Sequence, residues 1–325
     1  MIKVSVIVPI YNSVNYIEHC ICSLFEQTFN DIEYIFVDDA STDNSIEKIK
    51  DLLLRYPDRA SRCQFICNKK NQGVSTSRNR GLSIAQGEYV YFCDNDDWIS
   101  PNMLQSMYSY AQLENSDLVL CDPIAVYSNG REERIPIVYP KTDRIIALRK
   151  YISSVWNPIW NMLIKRNLFQ NNGITFPDGK NMCEDYNVST KLLLKAAKPI
   201  HCQKAYYYYN RANSSSFLSR QDKNANRMKI EVNIDLINFF KQEGVYSTYK
   251  KELCWRLLNA KQELSFEPAS YDEFLAIVPE SHKYILSCPY LNWKVKLNMW
   301  CLTRKLRLIA QFFSFCQKLK HETRV

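Results

Sequence analysis

A chain of 325 residues with 46% apolar residues is long enough for one large domain, or for a catalytic domain with a smaller appendage, and it can bury an ordinary core. The formal charge of +8 is confined to one end: residues 289–325 carry Lys294, Lys296, Arg304, Lys305, Arg307, Lys318, Lys320 and Arg324 against the single acid Glu322, so a basic nucleic-acid-binding core is excluded. The 12 Cys form no C-x-x-C pair, and Cys63 and Cys67 lack partners for a zinc site, so buried free thiols in a reducing cytosol are expected.

The opening MIKVSVIVPIYN has one Lys and a short apolar run ending in Pro9, without a small-residue cleavage site, and reads as a buried strand rather than a signal peptide. No stretch approaches the ~18 apolar residues that cross a bilayer. A cytoplasmic location is expected.

Val4–Pro9 is a β-branched run typical of a strand covered on both faces. Ile17, Cys20, Ile21, Leu24, Phe25 and Thr28 recur at helical spacing, and Ile32–Val37 is a second strand that ends on Asp38 and Asp39. The next helix takes Asn44 as its N-cap with Glu47 as reciprocal partner, while Asp43 is expected to cap rather than to bind a ligand. Phe65–Cys67 is a short strand, a helix follows Gly73, and Glu88–Cys93 is a buried strand that delivers Asp94. Ser100 then caps a helix with Pro101 in its first turn.

The strand–helix alternation over the first ~125 residues predicts an α/β fold with a mostly parallel central sheet flanked by helices. Beyond it, Arg131–Asp143 reads as an excursion, Glu184–Ala197 as a helix and Tyr206–Tyr209 as a strand whose tyrosines pack in the core. His201 has no second ligand nearby in sequence and is not expected to bind a metal. From about residue 220 the pattern is helical.

In open α/β sheets the ligand lies outside the carboxyl ends of the strands. Two strands end there in acids, Asp38–Asp39 and Asp94–Asp97, and such crowding is costly unless a cation relieves it. Mg²⁺ and Mn²⁺ take oxygen ligands and share them with substrate phosphates. A phosphate-accepting receiver domain is excluded, because Arg55 and Gln105 stand where its Asp and Lys are needed. A dinucleotide-binding fold is excluded by the absence of G-x-G-x-x-G after the first strand. Glu184 and Asp185 open a helix, where the dipole alone favours acids. A structural role and a catalytic one both fit them.

In order and spacing, VSVIVPIYN (4–12), VDDASTD (37–43), NQGVSTSRNRG (71–81) and DNDDW (94–98) resemble the family 2 glycosyltransferases of the GT-A fold, over roughly residues 1–215. The resemblance implies a catalytic domain with a nucleotide-sugar-binding half (1–125) and an acceptor half (126–215); the helical pattern gives residues 216–325 as a mainly helical region ending in the basic amphipathic tail 289–325. It also implies that Pro9 and Tyr11 flank the nucleotide base, Asp39 bonds it, Arg78 reaches the base or diphosphate, and Asp94 approaches the ribose. Asn95 stands in the middle of the D-x-D pattern. Asp96 would coordinate Mn²⁺ or Mg²⁺, with Asp97 in support. Asp185 would be the catalytic base beside Glu184, with Trp160 and Arg211 at flanking positions and Arg211 helping to hold the diphosphate.

The implied activity is inverting, metal-dependent transfer from a nucleotide diphosphate sugar, UDP-linked by expectation, to a glycan or lipid-linked acceptor in bacterial surface-polysaccharide assembly. A nucleotidyltransferase would need a basic triphosphate-binding loop, which PIYNSVNYI does not offer, and a non-catalytic carbohydrate- or lipid-binding relative sits badly with intact Asp94, Asp96 and Asp185. In the tail, Trp293, Leu297, Trp300, Cys301, Leu308, Phe312 and Phe315 recur near helical spacing among the basic residues. Two readings stand: a helix lying on the anionic inner face of the plasma membrane, or one packing its apolar stripe on the catalytic domain with a solvated basic face.

Overall fold

The computed structural model describes residues 1–137, 143–154, 156–213 and 223–313. Part of the Arg131–Asp143 excursion and the tail residues Phe315, Lys318, Lys320, Glu322 and Arg324 lie outside these. In chain order the elements are β1 (Val4–Ile10), α1 (Ile17–Phe25), β2 (Ile32–Asp38), α2 (Ser45–Leu53), α3 (Pro57–Ala60), β3 (Cys63–Cys67), α4 (Val74–Ile84), β4 (Tyr89–Phe92) and β5 (Trp98–Ile99). Then come α5 (Met103–Glu114), β6 (Leu118–Val126), β7 (Glu132–Arg134), α6 (Arg144–Ile152), β8 (Met162–Lys165), α7 (Asn167–Asn172), α8 (Glu184–Lys195) and β9 (Pro199–Asn210). The later helices are α9 (Lys223–Gln242), α10 (Tyr246–Ala260), α11 (Tyr271–Ala276) and α12 (Trp293–Thr303). Two compact units result, residues 1–148 with 156–219 and residues 149–155 with 220–325.

The first unit is an α/β fold built on a sheet of order β3-β2-β1-β4-β8-β6-β9-β5, with β7 paired to β6. Strands β1 to β4 pair in parallel, with Val4 opposite both Ile32 and Tyr89. Beyond β4 the sheet is mixed: β8 runs antiparallel to β4 and β6, while β9 is parallel to β6 and antiparallel to β5. The apolar runs explain the parallel half. Every residue of β1 and β4 is buried, as strands covered on both faces require. Parallel alignment brings the ends of β1, β2 and β4 to one edge, where Ile10, Asp38 and Cys93–Asp97 leave the sheet.

Two capping expectations are corrected. Asn44 occupies the N-cap position of α2 but makes no side-chain cap bond. The preceding Asp43 accepts from the Ser45 amide at 3.1 Å and the Val14 amide at 3.0 Å, so one carboxylate caps the helix and fixes the loop after β1. Helix α5 begins at Met103, not at Pro101, and the Gln27 Oε1 accepts from the Leu104 amide at 3.2 Å, so the cap comes from another segment.

Helix α4 lies close on β1 because Gly81 has no side chain. A Cβ there would stand 2.5 Å from Ile7 Cγ2 and 3.3 Å from Val37 Cγ2. The eleven described cysteines are free, as expected.

In the second unit a core forms from Leu258, Tyr271, Phe274, Ile285, Cys288 and Leu291, and α12 adds Val295, Met299 and Leu302 to it. Asn292 caps α12 by accepting from the amides of Lys294 and Val295 at 3.0 and 3.1 Å. The face of α12 that packs, within the second unit itself, carries Val295, Met299 and Leu302, whereas of the stripe read from the sequence Cys301 is buried and Trp293, Leu297, Trp300, Leu308 and Phe312 are exposed. Its other face is taken up below.

Gly81→Val is expected to destabilise the protein by about 1–3 kcal/mol through overpacking against Ile7. Thermal unfolding followed by circular dichroism measures this, and an unchanged midpoint would contradict the close approach.

Candidate active site

At the carboxyl edge of the parallel strands, one guanidinium gathers three carboxylates. Arg78, on α4, is 2% exposed. Its Nη2 donates to Asp94 Oδ1 at 2.9 Å, and its Nη1 donates to Asp185 Oδ1 at 2.6 Å and to Glu184 Oε1 at 3.3 Å. The face of Phe176 lies 5.3 Å from the guanidinium carbon. Its Nε alone is buried without a hydrogen-bond partner. Burial disfavours the charge on Arg78, but Asp185, Asp94 and Glu184 more than offset this and hold it ionised.

The loop before α4 is built to place that arginine. Asp39 is 4% exposed and accepts from the amides of Gln72 at 2.8 Å and Gly73 at 2.7 Å, and from Asn68 Nδ2 at 2.6 Å. Three of its roughly four lone-pair sites thus hold its own chain. Gly73 has φ 88°, and a Cβ there would collide with the side chain of Asn181. On its outer side α4 is joined to the segment before α8. Ser75 Oγ donates to the Lys180 carbonyl at 2.5 Å, and Asn79 exchanges bonds of 2.8 Å with the backbone of Phe176. These contacts bring Glu184 and Asp185, the first residues of α8, to Arg78. Asp185 is held further by the Ile159 amide, which donates to Oδ2 at 3.3 Å.

The acidic run divides by position. Asn95 Nδ2 donates to the Pro9 carbonyl at 2.8 Å, tying the run to the end of β1, while Tyr11, the next residue but one, is 47% exposed. Asp96 Oδ2 accepts from Asn213 Nδ2 at 2.7 Å. Asp97 turns inward at 1% exposure, where it accepts from the Tyr207 hydroxyl at 2.5 Å and the Asn210 amide at 2.7 Å. Tyr207 stacks on Trp160 with centroids 4.1 Å apart, and Tyr209 lies parallel to the same indole at 5.8 Å. Tyr206 and Tyr208 face the other way, to Arg134 and to Trp98, as alternation in a strand requires. Arg211 is exposed, and its guanidinium lies 5.8 Å from the ring centres of Tyr127, Trp156 and Tyr209. His201 bonds Asp122 at 2.7 Å across β6 and β9.

The electrostatics follow from this crowding. Burial and the neighbouring Asp185 push the Glu184 carboxyl up to about 7. Burial also raises Asp185, with Arg78 opposing it. Asp96 is raised by burial and by Asp94, and Asp97, by burial and then by Asp96 and Asp94, stands well above the usual carboxylate range. The site carries more negative charge than Arg78 cancels. Among the described residues no three His, Cys, Asp or Glu side chains are grouped to hold a metal by themselves. Mg²⁺ and Mn²⁺ are commonly held by one or two carboxylates with substrate phosphates. Asp96, beside Asp94, fits that donor set.

Asn68, Asn79, Asn181, Tyr207 and Asn213 all shape the site, and none stands out in the sequence. Only their bonds across the fold reveal them.

Residues 5–184 match the sequence pattern of glycosyl transferase family 2. An uncharacterized glycosyltransferase of Escherichia coli, YibD, is 28% identical over 82% of this chain and 80% of its own. The cholesterol galactosyltransferase of Borreliella burgdorferi is 31% identical over 77% of this chain and 72% of its own. The crystal structure of residues 1–349 of Staphylococcus aureus TarS in complex with UDP-GlcNAc superposes with a TM-score of 0.70 at 22% identity, covering 94% of this chain and 92% of that one, which gives the GT-A fold. The chain belongs to family 2 of the glycosyltransferases.

Proposed function

We propose that the protein transfers a sugar, with inversion, from a UDP-sugar to a hydroxyl of a glycan or lipid-linked acceptor in the assembly of a bacterial capsule, exopolysaccharide or O-antigen. The observation that carries this reading is the gathering of Asp94, Glu184 and Asp185 on Arg78 at the carboxyl edge of the parallel strands. Residues 1–215 would form the catalytic domain, with the donor held by residues 1–125 and the acceptor by residues 126–215. The UDP-GlcNAc bound by the similar TarS supports a UDP-linked donor, and the lipid named for the Borreliella relative supports a lipid-linked acceptor.

In this reading the acceptor oxygen attacks the anomeric carbon as the bond to the diphosphate oxygen breaks and its electron pair leaves with the nucleotide. The acceptor proton passes to a carboxylate oxygen of Asp185. Burial raises the proton affinity of that group, and the Ile159 amide and Arg78 fix its direction. Glu184 orients the acceptor beside it. Pro9 and Tyr11 border the base, Asp39 shapes the edge on which the base rests, and Asp94 turns its free oxygen to the ribose. Arg78 aligns the carboxylates, and Arg211 reaches toward the diphosphate from its aromatic bed. When bound, Mn²⁺ or Mg²⁺ supplies neutralising charge for the diphosphate, and Asp96 is the residue that would hold it.

Turnover is read as nucleotide release from a panel of nucleotide sugars with Mn²⁺. Asp96→Ala is expected to lose at least about a hundredfold, and Asp185→Asn to lose a similar factor while still binding UDP. Asp96→Ala with full turnover would sink the metal assignment, and Asp185→Asn with full transfer would move the base elsewhere.

Glu184 makes a pH prediction. Its carboxyl titrates near 4.5 ordinarily and at about 7 in the fold, so folding favours its protonated form. This contribution to stability is present below about 4.5 and is lost as pH rises through about 7. Glu184→Gln is therefore expected to raise the unfolding midpoint at pH 8 relative to the parent, with the gain shrinking toward pH 4.5. Equal midpoints at both pH values would contradict a buried charge that Arg78 compensates only in part.

A further inference from the structure

Helix α12 is apolar on two opposite faces. Val295, Met299 and Leu302 enter the core of the second unit and are 6%, 0% and 1% exposed. Trp293, Leu297 and Trp300, at steps of four and three residues, form a second stripe on the far side, at 66%, 37% and 36% exposed. Just beyond the helix, Leu308, Ile309 and Phe312 are 82%, 47% and 64% exposed. A soluble surface seldom leaves two tryptophans and a phenylalanine together in water.

The charge around the stripe has one sign. Lys294 and Lys296 flank it, Arg304 continues it by one turn, and Lys305 and Arg307 follow, while residues 289–313 contain no Asp or Glu. The Lys294 ammonium lies 5.5 Å from the Trp293 ring and the Arg304 guanidinium 5.7 Å from Trp300, so the cations sit beside the rings. Of the five, Arg307 is paired, with Asp272. Tryptophan with lysine and arginine around an apolar stripe is the composition of a helix lying in the headgroup region of a bilayer, its rings at the acyl boundary and its cations at lipid phosphates. No described helix is long and apolar enough to cross a membrane, so attachment would be at the surface.

We propose that the exposed face of α12, with Leu308 and Phe312 beyond it, is a docking surface for an anionic lipid bilayer. The partner is a lipid surface because the face combines an apolar stripe with unopposed positive charge. A second copy of the chain would bring like charges against each other, which disfavours a symmetric dimer through this face. The proposal stands independently of the sugar-transfer chemistry.

The experiment is co-sedimentation of the full chain with phosphatidylcholine vesicles and with vesicles of equimolar phosphatidylglycerol and phosphatidylcholine, at low and high salt. The parent is expected to sediment with the anionic vesicles, weakly with the neutral ones, and less at high salt. Trp293→Glu combined with Trp300→Glu is expected to weaken the anionic binding at least tenfold. Lys294→Gln combined with Lys296→Gln and Arg304→Gln should weaken it similarly and reduce the salt dependence. Trp293, Trp300, Lys294 and Arg304 are exposed and Lys296 half-buried, and circular dichroism checks that both variants fold. Equal sedimentation of parent and tryptophan variant overturns the proposal, as does no binding by the parent. A parent dimer in size-exclusion chromatography that the tryptophan changes dissociate, without vesicle binding, overturns it in favour of a self-association surface.

Discussion

A single buried guanidinium determines the arrangement of this site. Arg78 is almost fully enclosed, and it can remain charged there only because Asp94, Glu184 and Asp185 surround it. Removing Asp94 or Asp185, its two closer partners at 2.9 and 2.6 Å, breaks a buried pair, a change that commonly costs about 3–5 kcal/mol. The chain therefore fixes Arg78 from both directions. Gly81 lets α4 lie against β1, Asp39 grips the loop that starts α4, and Ser75 and Asn79 fasten α4 to the segment leading into α8. Residues 94 and 185 meet because both ends of that helix are anchored.

The same arrangement leaves the site short of positive charge. One arginine faces three carboxylates, with Asp96 and the buried Asp97 close by, and burial first, then the neighbouring carboxylates, raise the proton affinities of Glu184, Asp185, Asp96 and Asp97. A divalent cation bound with the diphosphate would offset that negative charge at Asp96. The division of labour within DNDDW follows from direction. Asn95 bonds the Pro9 carbonyl and Asp97 the Tyr207 hydroxyl, while Asp94 accepts from Arg78 and Asp96 from Asn213.

Much of this was legible in the sequence, for physical reasons that can be stated. Strands β1, β2 and β4 announce themselves because burial on both faces demands unbroken apolar runs, and the acids at their ends mark the site edge. The second half of the sheet does not. β6 carries Asp122 and Pro123 and shifts register against β9, and β5 is only two residues long, so neither has a clear period. The alternation of Tyr206–Tyr209 was readable from strand geometry, but Tyr207 as the hydroxyl that holds Asp97 was not. Local capping rules read Asp43 as a cap but also gave the N-cap bond of α2 to Asn44, and missed Gln27 as a cap for α5, because the sequence does not say which distant backbone amides need an acceptor. Asp39 and Arg78 were expected to face the donor. Each bonds chiefly to the protein itself, a preference that appears only when the loop and helix are folded.

The central claim is that Arg78 aligns the carboxylates that perform the transfer. Its most direct test separates donor binding from turnover in Arg78→Lys, which keeps the charge but loses the fork that spans Asp94 and Asp185. Calorimetric binding of UDP with Mn²⁺ should stay within a few-fold of the parent, while turnover of the active UDP-sugar falls by about a hundredfold, as expected when reacting groups are misplaced by about an ångström. Loss of UDP binding with unchanged turnover per bound donor would contradict the account.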